Sequence, residues 1–83
     1  MLYIFTKHAR TMLVERNINP DWIDRVLQAP ALRQSDPTDE TLERFFGKIE
    51  EADDCVLRVV VNIREIPVRI VSVFFDRAMR GRL

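Results

Sequence analysis

Residues 55–63, Cys55-Val56-Leu57-Arg58-Val59-Val60-Val61-Asn62-Ile63, and residues 68–75, Val68-Arg69-Ile70-Val71-Ser72-Val73-Phe74-Phe75, decide the fold. Both runs are rich in β-branched and aromatic side chains, and Arg64-Glu65-Ile66-Pro67 lies between them as a turn, so they read as adjacent antiparallel strands. In the first, Leu57, Val59, Val61 and Ile63 share one face, and Val56, Arg58, Val60 and Asn62 take the other. Strict alternation in the second groups Arg69, Val71, Val73 and Phe75 against Ile70, Ser72 and Phe74. The second run is the more apolar, which predicts a central strand buried on both sides.

Working backward, Glu51-Ala52-Asp53-Asp54 is a turn, and Leu42 to Glu50 alternates again. Phe45, Gly47 and Ile49 oppose Arg44, Phe46 and Lys48, which makes a third strand of an antiparallel meander. Upstream, residues 31–41 hold no periodicity; Gln34-Ser35-Asp36-Pro37-Thr38-Asp39-Glu40 reads as a polar, acidic, exposed loop. Before it the period changes to that of a helix. Ile23, Val26 and Leu27 form one apolar stripe widened by Trp22, after a start signal of Asn19 as N-cap, Pro20 at the first helical position and Asp21 beside it. Ile18 reaching to Ile23 makes a hydrophobic staple, and Ala29-Pro30 ends the helix. An earlier helix runs from Lys7 to Arg16 with Ala9, Met12 and Leu13 as its stripe. Leu2 to Phe5 is a short strand that stops at Thr6, a good N-cap. The result is a single α+β domain over residues 1–83, β-α-α-β-β-β, with both helices on one face of a mainly antiparallel sheet.

Composition narrows the function classes. With 83 residues and 47% hydrophobic content there is room for one core and no second domain. One cysteine, Cys55, and one histidine, His8, supply neither a disulfide nor a zinc cage, so no metal or other cofactor is expected. No run approaches the ~20 apolar residues of a membrane span, and the chain is expected to be cytoplasmic. Formal net charge is zero, without the overall basic excess of a typical nucleic-acid binder. The average hides three blocks: five basic and three acidic residues in 1–33, two and eight in 34–54, and six and two in 55–83. Eleven of the thirteen cations are arginine, whose fork grips phosphate or carboxylate through paired hydrogen bonds.

Lys7-His8-Ala9, Glu15-Arg16-Asn17-Ile18, Val26-Leu27-Gln28-Ala29-Pro30 and Leu57-Arg58-Val59-Val60-Val61 together resemble a bacterial domain-of-unknown-function family, number 4258. The resemblance runs from about Phe5 to Phe75 and includes a Gly-x-Ile strand motif, here Gly47-Lys48-Ile49. The second half is also similar to the BrnT-type toxins of the RelE superfamily, through Glu43-Arg44 … Gly47 and Arg69-Ile70-Val71-Ser72. That similarity implies a RelE-like fold and descent from metal-independent endoribonucleases silenced by an antitoxin. After Ser72 this chain reads Val73-Phe74, where the toxin pattern places Ala-Arg.

Metal-free RNA cleavage needs proton transfer and cations around the phosphate. His8 is the one candidate for the proton role; its alternative is a ring hydrogen-bonded to backbone at the strand–helix junction. Arg44, Arg58 and Arg69 on the strands, with Lys7, Arg10 and Arg77, are the candidate phosphate and RNA contacts. Alternatively, each strand arginine pairs with a nearby acid. Cys55, with no basic neighbour in sequence, reads as an inert thiol. Two function classes follow. One is a toxin-type RNA-binding domain, in its catalytic form a metal-independent endoribonuclease of a toxin-antitoxin pair, with RNA and an antitoxin-like protein as partners. The other is a non-catalytic protein-interaction module of the same fold, and an exposed sheet edge would also allow a homodimer.

Overall fold

The chain, described over residues 1–83 by a computed structural model, begins with β1 (Tyr3–Phe5) and passes directly into α1 (Lys7–Glu15). Thr6 makes that transition possible: its backbone is extended and its hydroxyl accepts the Ala9 N–H at 3.1 Å, satisfying one of the helix's free donors. At the far end Asn17 adopts φ 51°, the Ile18 N–H donates to the Leu13 carbonyl and the Asn17 N–H to Val14, which is a Schellman closure. Helix α2 (Pro20–Gln28) starts as its sequence signals: Asn19 Oδ1 accepts the Asp21 N–H at 2.9 Å, and Ile18 and Ile23 are both buried.

Four further strands follow: β2 (Leu32–Ser35), β3 (Leu42–Ile49), β4 (Cys55–Asn62) and β5 (Val68–Phe75), in the sheet order β1-β5-β4-β3-β2. All neighbours are antiparallel except β1 and β5, which run parallel. Three expectations are corrected. Leu32–Ser35 is a strand, not loop; it lies at an edge with three of its four residues exposed, so no apolar alternation marks it. The central strand is β4 rather than β5, and β5 owes its apolar character to being flanked by β4 and β1. Finally, strict alternation fails in β5. Val60 pairs with Ser72 but Val61 with Ile70, so Val71 is an extra, bulged residue. Just there the Thr6 N–H donates to the Ile70 carbonyl at 3.0 Å, tying the start of α1 to the bulge. The bulge puts Ile70 and Val73 on the core side and Arg69, Ser72 and Phe74 on the other.

The core lies between the helices and one sheet face. Ala9, Ile18, Ile23, Val26 and Leu27 meet Phe45, Ile49, Leu57, Val59, Val61, Ile70 and Val73 there. Trp22 joins from the side, its ring edge-on to Phe75 at 6.2 Å. Each large side chain buried here contributes roughly 1.5–3 kcal/mol. The residues between β2 and β3 are not left loose: Asp36 accepts the N–H groups of Thr38 and Asp39, and Asp39 accepts that of Thr41.

Candidate functional site

The second sheet face carries the strand arginines. Because residues directly opposite one another project to the same side, Phe46, Arg58 and Phe74 form one row across β3, β4 and β5, and Arg44, Val60 and Ser72 form another. Arg69, opposite Asn62 and Ile4, stands at the end nearest β1. Phe46, Val56 and Val60 are buried on this face although no helix lies over it. Part of their cover is the C-terminal segment, whose Arg80, Gly81 and Leu83 line a cavity with Val56, and part is the face's own side chains. The Arg58 guanidinium sits 4.8 Å from the Phe74 ring centroid and 5.9 Å from that of Phe46.

Two of these three arginines are already neutralised. Arg44 Nε donates to Asp36 Oδ2 at 3.2 Å, and Arg58 Nη1 donates to Asp76 Oδ2 at 3.1 Å, both pairs being half-buried. Asp36 belongs to the segment after β2 and Asp76 follows β5, so carboxylates close over the face from both sides. Asp36 is held at about 2, below its usual 3.8, first by the Thr38 backbone N–H and hydroxyl, with Arg44 a lesser cause. Arg58 Nε is buried without a hydrogen-bond partner. Arg69 is exposed and makes no ion pair. His8, Lys7 and Arg10 are exposed on the first turns of α1. The His8 ring makes no hydrogen bond; the junction it was expected to fix is fixed by Thr6. Arg77 is exposed in a short 3₁₀ turn, Arg77–Met79, after β5.

A family model described as a domain of unknown function, DUF4258, matches residues 5–75. The chain belongs to this family. No curated protein and no solved structure matches it. The Gly-x-Ile motif of this DUF4258 domain has a packing reason: a Cβ at Gly47 would lie 2.7 Å from Val26 Cγ2, so α2 approaches β3 too closely for any side chain.

Three features of the DUF4258 domain escaped the sequence. The first is the pair Asp36 and Asp76, distant in sequence from the arginines they neutralise. The second is an apolar corner. Met1, Leu2, Ile4, Ile63 and Ile66 are exposed, Leu2 at 79% and Ile66 at 97%; Met1 and Leu2 precede β1, Ile4 lies in it, and Ile63 and Ile66 lie in the segment joining β4 to β5. Tyr3 pairs with Val68, so Leu2 and Ile66 lie at the same end of the β1–β5 pair. The third is a cavity of about 540 Å³ that Cys55 shares with Phe75, Arg77 and Arg80. The half-buried thiol thus has basic neighbours through the fold where the sequence offered none. Arg77 and Arg80 lie beyond the matched span.

Proposed function

We propose that the domain is a non-catalytic protein-interaction module, docking a partner's extended apolar segment on the free edge of β1. The single observation that carries this reading is the apolar corner. Five of the seven exposed large hydrophobic residues lie in or just before β1 and in the segment joining β4 to β5, and exposed apolar residues brought to one end of a sheet mark interaction surfaces more than scattered single ones do. Edge strands are ordinarily guarded by charge, yet β1, Tyr3-Ile4-Phe5, carries none. An added strand would satisfy its unpaired backbone groups and cover Leu2 and Ile4. Neutralisation of Arg44 by Asp36 and of Arg58 by Asp76 also supports the reading, since it takes two strand cations away from phosphate.

The test is capture of a protein partner by the wild-type domain and by variants. Binding is expected to fall at least about tenfold with Leu2→Lys or Ile66→Lys, to survive His8→Ala and Arg69→Ala, and to resist moderate salt. Loss with Arg69→Ala, or on ribonuclease treatment, overturns it. A second reading, the toxin-type RNA-binding domain, rests on Arg69 and Arg77, which face solvent without carboxylate partners, with Lys7 and Arg10 on α1. It predicts RNA retention that weakens steeply with salt, and growth inhibition on overexpression that His8→Ala and Arg69→Ala relieve.

A further inference from the structure

The 3₁₀ turn after β5 is fixed in place by several bonds. The Asp76 N–H donates to the Val56 carbonyl at 2.8 Å, Asp76 Oδ1 accepts the Ala78 N–H at 3.0 Å, and Asp76 Oδ2 takes Arg58. Arg80 follows the turn directly, its N–H donating to the Arg77 carbonyl at 3.3 Å, so the two arginines stand at the turn's two ends. Both line the cavity of about 540 Å³ whose other lining residues are Phe75 and Cys55. No carboxylate lines that cavity. Arg80 Nη2 donates to the Asp53 main-chain carbonyl at 2.9 Å, which positions its guanidinium without an ion pair. Asp53 and Asp54 line a neighbouring cavity together with Arg80 and Lys48, and neither carboxylate forms an ion pair with Arg80. Five of the eleven arginines, 25, 33, 44, 58 and 64, each hold a carboxylate; Arg77 and Arg80 are among the six that hold none. Two like charges lining one cavity repel each other, and an anion between them removes the repulsion.

We infer that this cavity binds a small organic anion, its carboxylate or phosphate head between Arg77 and Arg80 and its apolar body against Phe75. Guanidinium forks favour a planar or tetrahedral oxyanion through paired charge-assisted hydrogen bonds, and the aromatic wall gives the apolar part a place out of water. The site lies at the opposite end of β5 from the apolar corner and does not depend on partner docking there.

Titration of the full chain with phenyl phosphate and with phenylacetate, followed by amide chemical shifts, tests it. Saturable shifts at Cys55, Phe75, Arg77 and Arg80 are expected with at least one probe, and the tighter of the two identifies the head group. Arg77→Ala or Arg80→Ala weakens binding at least about tenfold, the effect of losing one charge-assisted hydrogen bond. Arg82→Ala leaves it unchanged, and Arg77→Lys, which keeps the charge without the fork, falls between. Bound ligand also slows alkylation of the Cys55 thiol by iodoacetamide, a neutral reagent. Shifts that grow linearly without saturating with both probes, or equal weakening by Arg82→Ala, mean diffuse attraction to a basic tail and overturn the assignment.

Discussion

Gly47 and Asn17 are positions where one side chain sets the backbone's options. A methyl at position 47 would meet Val26 Cγ2 at 2.7 Å, and Val26 is itself buried between helix and sheet. Gly47→Ala is expected to destabilise by about 1–3 kcal/mol, the usual cost of overpacking, measured by urea unfolding. Adding Val26→Ala makes room for the new methyl, so the double variant is expected to be less unstable than the two single losses added together; simple additivity would show that the contact is not the cause. Asn17 holds the left-handed position that closes α1, at φ 51°. Asn17→Gly is expected to stabilise by about 0.5 kcal/mol, and Asn17→Val to destabilise by at least about 1 kcal/mol, because a branched Cβ crowds the backbone there. Both positions were visible as residue types in the sequence. The reason for Gly47 was not, because it depends on how closely two distant elements approach.

Among elements, the helices were legible because their signals are local: Thr6 and Asn19 cap within three residues, and the staple spans five. The strands β3 and β4 followed their alternation for the same reason. Elements defined by their neighbours were not legible. Strand β2 exists because β3 offers it a ladder, and the Val71 bulge exists where β1 gives way to α1 beside β5. One consequence is testable at Thr6, which caps α1 through its hydroxyl and ties it to the Ile70 carbonyl through its N–H. Thr6→Ala is expected to cost about 1–2 kcal/mol in urea unfolding and Thr6→Ser to restore most of it, since serine keeps the capping oxygen. If both lose equally, the methyl rather than the cap matters. Asp76 joins elements in a similar way, through Arg58 and through the turn that carries Arg77. Asp76→Ala leaves the half-buried Arg58 without its carboxylate and is expected to cost about 2–3 kcal/mol, whereas joint replacement with Arg58→Met is expected to cost less.

Across the whole molecule, the three charge blocks of the sequence fold into one another. Four of the five acidic partners, Asp36, Glu40, Glu43 and Glu51, come from the acidic middle block, and they take arginines from every block: Arg25 and Arg33 from the first, Arg44 from their own and Arg64 from the last. The strand arginines were legible as a set sharing a face; their neutralisation was not, since it depends on where the residue 36–41 segment and the C-terminal turn come to rest. Acid should therefore loosen the fold through particular groups. Glu51 is held at about 2 against its usual 4.5, chiefly by hydrogen bonds from Arg25, and Asp36 at about 2 against 3.8, chiefly by Thr38. In both the folded state favours the carboxylate. Their stabilisation is therefore complete above the unfolded values and is lost as pH falls from about 4.5 towards 2. Urea midpoints for the wild type are expected to fall across that window. Glu51→Gln and Asp36→Asn, which cannot titrate, should begin lower at pH 5 and lose less between there and pH 2. A variant whose midpoint falls as steeply as the wild type's would show that its carboxylate is not the group being titrated, and would move the acid sensitivity to the other ion pairs.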